Sequence, residues 1–426
     1  MTHFAFVAPP FPSHMRALQT VAQALIDRGH QATFFHLPEA AGWLSDPRIG
    51  FRAVGAADQP AGALAAMLRR AARPGGPLGL RRVIQDVAES TDLLCRTLPD
   101  AFARAGIDAV VCDQMEAAGG LVAEARGLPY VSVACALPVN REPGVPLPVM
   151  PWAYADDART RQLCEASSRV YDRLMAPHCQ VIARHAAAFG LPPRQALHDC
   201  LSPYAQLSQT VARLEFPRRA LPAHFHHVGP LRDATPDPPL TLDLAADRPL
   251  VFASLGTLQG QRLAIFRRIV RACRRLDAHL VLAHCGGLSP AQARSLQVPG
   301  EVEVVDFVPQ RAMLARADAV ISHAGLNTVL DACVAGTPIL ALPIAFDQPG
   351  VAARVVHAGA GLKASAHLAG ASRLQRLLTR LLTEPDFRQR AQALGVAAQA
   401  AGGSARAARI VEAVATTARP VLAEAA

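Results

Sequence analysis

The sequence holds nine cysteines but no C-x-x-C pair. An odd number without paired spacing excludes a disulfide framework or a Cys-ligated zinc site and points to free thiols in a reducing compartment. No apolar run reaches the roughly 18 residues a spanning helix needs, so any membrane association is expected to be peripheral. The opening residues MTHFAFVAPPFPSH lack the basic start and long apolar stretch of a secretory signal, and a cytoplasmic location follows as the expectation. Aromatics are few, 5%, and no Lys/Arg run is interleaved with them, so nucleic acid is not an expected partner. The net charge is +9 (43 basic minus 34 acidic residues). Arginine supplies nearly all of it, scattered along the chain. Most of that charge belongs to solvated helix faces, and it also suits attraction to an anionic membrane surface, at its inner face for a cytoplasmic protein. At 51% hydrophobic and 18% charged the chain can build a large core, and 426 residues suit two domains.

Short apolar runs punctuated by Gly and Pro alternate with helical patterns. Residues 4–8 form a first strand, Pro9 to His14 a loop, 15–28 a helix and 32–36 a second strand, which is one βαβ unit. His14 thus falls at the carboxyl end of strand one, where a functional histidine and a solvated loop histidine are equally good readings. A strand at 50–54, helices at 61–73 and 80–105 and a buried strand at 108–112 follow. Asp113 lies just past that last strand, on the same rim as His14. A carboxylate there either orients an imidazole and stabilises its protonated form or caps the next turn. After a strand at 129–134, the segment 137–152 is apolar and proline-rich. It suits a binding loop or plain surface covering, not a helix. Helices over 157–188 and to about 199, then strands at 205–210 and 226–228, close the first half.

Residues 229–249 have the prolines and acids of a semi-rigid linker. A second series starts with strand 250–254 and the turn Gly256-Thr257, which either brings backbone N–H groups to a phosphate or is an ordinary βα turn. A helix at 263–276, strands at 279–283 and 302–305 and a short helix at 309–316 lead to the stretch 318–348. There a strand (319–322), a turn with Gly325, a helix (328–334) capped by Asn327 and Thr328, and a second strand ending at 342 make a ready anion site. Asp347 and Gln348 lie beyond that strand, where ligands collect in open α/β sheets. A helix at 404–417 is expected to pack back on the first domain. The expected fold is α/β, with two Rossmann-like doubly wound domains facing each other across a cleft. The divisions are 1–228, linker 229–249, 250–403 and a returning tail 404–426.

The set Phe307-Val308-Pro309-Gln310, His323-Ala-Gly325-Leu-Asn327-Thr328, Asp331, Gly336-Thr-Pro338 and Asp347-Gln348 resembles the nucleotide-sugar signature of the UDP-glycosyltransferases. Across the rest of the chain APPFPSHMRALQ, VVCDQMEAAG, SVACALPVNREP, FASLGTLQG and ALPIAFDQPGVAARVV resemble the bacterial zeaxanthin glucosyltransferases of carotenoid pathways. The resemblance implies the GT-B arrangement, with the acceptor held by the N-terminal domain and the sugar nucleotide by the C-terminal domain. It assigns His14 as catalytic base and Asp113 as its partner. It gives the diphosphate to His323, Gly325, Asn327 and Thr328 with Gly256 and Thr257 beside them, the glucose hydroxyls to Asp347 and Gln348, and donor contacts to Phe307, Val308 and Gln310. Phe307 stands where a tryptophan usually stacks on uracil, and an aromatic face is kept. Asp331 stands where a glutamate usually grips the ribose and is one methylene shorter, which leaves UDP and dTDP sugars both open.

The chemistry fits these residue types independently. A hydroxyl needs a base before it can attack, and histidine titrates in the right range. His323 and a helix start can meet the charge growing on a leaving diphosphate. No Asp-x-Asp motif is present, so no metal and no cofactor are expected beyond UDP-glucose as donor substrate. One base and direct displacement predict inversion. The implied acceptor is zeaxanthin, glucosylated at each end in turn, with Phe11, Met115, Leu137, Met150 and Trp152 as its expected apolar wall. A macrolide or polyketide acceptor, a noncatalytic nucleotide-sugar-binding helper and a two-domain sugar-nucleotide epimerase are the alternatives.

Overall fold

The computed structural model describes residues 1–423 apart from 57, 59, 61, 234, 236, 243, 245 and 246. Parts of the expected linker, the first residue of the helix expected at 61–73 and the last three residues of the expected tail therefore lie outside the described residues. Two sheets form. The first contains β1 (His3–Val7), β2 (Gln31–His36), β3 (Gly50–Ala53), β4 (Ala109–Asp113), β5 (Tyr130–Ala134), β6 (Ala205–Ser208) and β7 (Phe225–His227), in the order β3-β2-β1-β4-β5-β6-β7. The second contains β8 (Leu250–Ser254), β9 (His279–Ala283), β10 (Val302–Val305), β11 (Ala319–Ser322), β12 (Ile339–Ala341) and β13 (Gly361–Lys363), in the order β10-β9-β8-β11-β12-β13. Every ladder between these strands is parallel.

Parallel strands are covered by helices on both faces, so they read as continuous apolar runs. The side chains still alternate. Phe4 and Phe6 of β1 enter one core cluster and Ala5 and Val7 the cluster on the other face. Leu250 and Phe252 of β8 divide from Val251 and Ala253 in the same way. In each sheet the strand order reverses at a central pair, β1/β4 in the first and β8/β11 in the second. Such switch points leave a crevice at the carboxyl ends of the strands. Asp113 ends β4 and His14 follows β1 at the first pair, and Gly256 and His323 follow the second.

Several details differ from the sequence reading. Helix Pro12–Ile26 begins before His14, with Phe11 as N-cap and Pro12 at the first position; proline's fixed φ favours that place. His14 is therefore in a helical first turn rather than in a loop. Strand β13 and helices Ala371–Thr383 and Pro385–Ala400 occupy a region the reading left without elements. The segment after 229 is also more than a spacer. Leu231 is buried in the first domain's core, while Leu240 and Leu242 pack on the second. Helix Gly403–Thr417 returns to the first domain, where Ala407, Ile410, Val411 and Val414 share a core with Met15, Leu18 and Val21. No helix among the described residues is long and apolar enough to cross a membrane.

Candidate active site

His14 Nδ1 lies 2.7 Å from Asp113 Oδ2. Asp113 ends β4 and is fully buried. Its other oxygen accepts from the Met115 N–H at 2.8 Å, so one carboxylate both closes a turn and fixes an imidazole. Burial alone would lower the His14 pKa, but the charge and hydrogen bond of Asp113, with Asp347 further off, outweigh it and raise the pKa above 6.5. With Nδ1 facing Asp113, Nε2 is the nitrogen free to take a proton. Cys135 packs against this pair: His14, Asp113 and Cys135 each bring one potential ligand atom within 4.8 Å of the others.

The opposite wall is built after β11. His323 is pressed between two glycines: a Cβ on Gly256 would fall 2.7 Å from the ring, and one on Gly325 only 2.5 Å from Nε2. Gly256 also has φ +71°, a conformation that favours glycine. Burial lowers the His323 pKa to about 4, partly offset by a hydrogen bond of the ring to the Ser254 backbone, so the ring is neutral at ordinary pH. Helix Leu326–Ala335 starts at Gly325, which carries no side chain to cap it. Asn327 and Thr328 sit inside the first turn instead of capping it, and that turn's N–H groups are left without a side-chain cap.

Asp347 and Gln348 open the helix Gln348–His357. Asp347 Oδ2 accepts the N–H of Leu137 at 3.2 Å from the other domain, and burial raises its pKa. Gln348 turns its Oε1 into its own loop, accepting from Ile344 and Ala345 at 2.9 and 2.8 Å, which leaves its amide N–H groups for a ligand. The segment 137–152 crosses the cleft onto this helix. A Cβ at Gly350 would fall 2.0 Å from Pro148 O, and Lys363 Nζ donates to Pro151 O at 2.8 Å.

Between the two walls lies one cavity of about 510 Å³. His14, Gly256, Thr257, Phe307, Val308, Gln310, His323, Gly325, Asn327, Thr328, Asp347 and Gln348 line it, as do Phe11, Met115 and Leu137. Asp113 stands behind His14. Met150 and Trp152 are not on the wall, whereas their neighbours Leu147, Pro148 and Val149 are. Asp331 is also off the wall. Arg232 Nε holds one of its oxygens and Gln310 Nε2 the other, each at 2.7 Å. Arg232 further donates to Asn327 O at 2.9 Å and to Gln209 Oε1 at 3.2 Å, and Gln209 Nε2 reaches Asn327 Oδ1 at 3.0 Å. The sequence reading missed Arg232, Gln209 and Phe346, whose ring meets Phe11 across the cleft at 5.8 Å. Arg232 and Gln209 carry no local motif, whereas Phe346 adjoins Asp347-Gln348. Arg232, one of two cations in an acidic, proline-rich stretch, and Phe346, by its place beside Asp347, offered the only signals.

Two facing doubly wound domains, with a His–Asp pair on one and a histidine and open helix start on the other, are the architecture of a GT-B glycosyltransferase. Comparison with solved structures agrees: the calicheamicin glycosyltransferase superposes with a TM-score of 0.76 at 20% identity, covering 99% of this chain and 100% of that one. Residues 267–414 match the family of the erythromycin biosynthesis protein CIII-like C-terminal domain. The zeaxanthin glucosyltransferase of Pantoea ananas is 49% identical over 99% of this chain and 98% of its own. That of Pseudescherichia vulneris is 48% identical over 97% and 98%. The chain belongs to the zeaxanthin glucosyltransferase family and is a glycosyltransferase.

Proposed function

We propose that this enzyme transfers glucose from UDP-glucose to the two hydroxyl groups of zeaxanthin in turn, with inversion, giving the mono- and then the di-β-glucoside. The names of the two full-length relatives support the acceptor. The observation that carries the mechanism is His14, oriented by Asp113, facing Asp347 and the His323 helix start across one cavity.

In this reading the acceptor hydroxyl gives its proton to His14 Nε2 as its oxygen bonds to C1 of glucose, and the C1–O bond to the diphosphate breaks on the opposite face. Asp113 stabilises the imidazolium that results. The electron pair leaves with UDP, and its charge is met by the His323 N–H and the first-turn N–H groups of helix Leu326–Ala335, in place of a metal ion or other cofactor. Asp347 and Gln348 orient the sugar hydroxyls. Phe307, 68% exposed on the cavity wall, offers its ring to the base with Val308 beside it. Asp331, with both oxygens engaged, acts on the donor by holding Gln310. Phe11, Met115 and Leu137 form the apolar wall for the acceptor. The N-terminal domain holds the acceptor and the C-terminal domain the donor. The enzyme works in the cytoplasm and meets its acceptor at the inner face of the membrane.

The test is incubation with UDP-glucose and zeaxanthin, chromatography of the pigments and NMR of the anomeric proton. The expected products are two new, more polar pigments with β-linked glucose. No glucoside removes the proposal, an α-linkage removes the single-displacement mechanism, and faster turnover with dTDP-glucose overturns the donor.

A further inference from the structure

Helix Ala158–Ala188 carries three large apolar side chains on its outside. Leu163 is 40% exposed, Val170 54% and Leu174 47%. A single exposed leucine is ordinary. These three, however, are spaced by seven and four residues, and at 3.6 residues per turn they fall within about 40° of arc. On one side of this stripe the same helix sends Tyr171 and Met175 into the wall of the acceptor cavity. On its other side stand Arg159, Arg173 and Arg169, all exposed. Of the nearby acids, Glu165 lies opposite the stripe, one turn before Arg169, Asp157 at the helix cap lies near Arg159, and Asp172 is paired with Arg141, whose Nη1 is 3.1 Å away. Asp172 lines the cavity while its side chain is 50% exposed, so the cavity reaches the surface at this helix. The neighbouring helix Pro77–Ala105 packs along it and repeats the composition in its first turns, with Leu78 84% and Leu80 41% exposed just before Arg81 and Arg82.

We propose that the Leu163–Val170–Leu174 stripe docks this enzyme on an anionic lipid surface, with the cavity mouth held against the bilayer. An apolar strip bordered by arginines is the pattern of a helix lying in the membrane interface. The arginines favour anionic headgroups over a neutral surface or an apolar protein partner. The orientation lets a lipid-soluble acceptor pass from the acyl region to His14 without crossing water. This last consequence rests on the apolar acceptor proposed above; the docking surface itself does not.

The test uses the full chain and two kinds of vesicle, one phosphatidylethanolamine with phosphatidylglycerol and one phosphatidylcholine alone. The wild type is expected to float with the anionic vesicles and not with the neutral ones. A triple variant, Leu163→Ser, Val170→Ser and Leu174→Ser, is expected to lose at least about tenfold in the floated fraction. Its turnover of detergent-dispersed zeaxanthin should stay within about twofold of wild type and its melting temperature unchanged, because these side chains are already exposed. Arg159→Glu with Arg173→Glu should also abolish flotation. A wild type that does not float, or a triple variant that floats as well as wild type, overturns the proposal. A dimer in sedimentation that the triple variant dissolves assigns the stripe to a second copy instead. Flotation that depends on the stripe, in an enzyme without zeaxanthin turnover in detergent, upholds docking and removes the acceptor reading.

Discussion

Arg232 Nε lies 2.7 Å from Asp331 Oδ1, joining the segment between the domains to helix Leu326–Ala335. The same guanidinium holds the Asn327 carbonyl and reaches Gln209 of the first domain. It therefore fixes both the first turn of that helix and the carboxylate that holds Gln310. Arg232→Ala removes charge-assisted hydrogen bonds from a largely buried acceptor, and we expect the donor KM to rise roughly tenfold or more with a smaller change in kcat. Arg232→Lys should recover only part of this, because one ammonium cannot reproduce the fork. Steady-state kinetics with varied donor decides.

The His14 pKa is raised above 6.5 although burial pulls it down. A general base must be neutral to work, so with His14 in the proposed role kcat/KM is expected to climb with pH through an inflection above 6.5. Asp113→Asn leaves burial unopposed by the carboxylate, so the inflection should move downward and the rate fall about 10²–10⁴-fold. A raised folded-state pKa stabilises the fold fully below the unfolded value of about 6.5 and loses that contribution as pH rises through the folded value. The melting-temperature advantage of wild type over His14→Gln should therefore be largest in mild acid and shrink in mild alkali.

His323 is expected to contribute as a neutral donor to the leaving diphosphate. His323→Ala should lower kcat by about 10²–10³. Gly325→Ala leaves the imidazole present but places a methyl 2.5 Å from Nε2, so it should reproduce much of that loss by moving the ring. Full activity in Gly325→Ala would show that the ring position is unimportant. UDP titration by calorimetry checks both variants.

Glu215 and Arg354 form an ion pair across the domain interface with side chains 2% and 1% exposed, and Arg354 also sits 4.3 Å from the centre of the Phe216 ring. Glu215→Ala leaves a buried guanidinium unpaired and should cost about 3–5 kcal/mol in denaturant unfolding. Replacing both residues by apolar side chains of similar volume should cost far less.

Because charge on the leaving group is assigned to His323 and a helix start, prolonged treatment with EDTA should leave turnover unchanged. Added Zn²⁺ should inhibit, since His14, Asp113 and Cys135 offer nitrogen, oxygen and sulfur donors close together. Burial holds the Cys135 thiol well above its ordinary pKa, so inhibition should strengthen as pH rises, and Cys135→Ser should weaken it.

The strands around the donor site were legible to the residue. The spans expected at 250–254, 279–283, 302–305 and 319–322 coincide with β8, β9, β10 and β11, because strands buried on both faces are uninterrupted apolar runs. Strand β13 was not legible: Gly361-Leu-Lys is too short to form a run. Helix Ala371–Thr383 did carry a signal, with buried Leu374, Leu377, Leu378 and Leu381 at helical spacing, yet it went unread. Position on one sheet rim brought His14 and Asp113 together but left Asp113 as imidazole partner or turn cap, the resemblance chose the partner, and the carboxylate does both. The contacts that join the domains did not follow, because Arg232–Asp331, Gln209–Asn327 and Glu215–Arg354 link residues 99, 118 and 139 positions apart. In the irregular segment 137–152 no period tells which side chains turn inward, so the sequence points no more to Leu147 and Val149, which line the cavity, than to Met150 and Trp152, which do not.

Helix Gly403–Thr417 completes the core beneath the helix that carries His14, with Thr20 Oγ1 and Ser404 Oγ 2.7 Å apart at its start. The first domain is thus discontinuous in the chain. On the ribosome its opening βαβ unit emerges long before helix Gly403–Thr417 and keeps one apolar face uncovered until that helix has been synthesised. His14 is thus made about 390 residues before the helix that completes the core behind it.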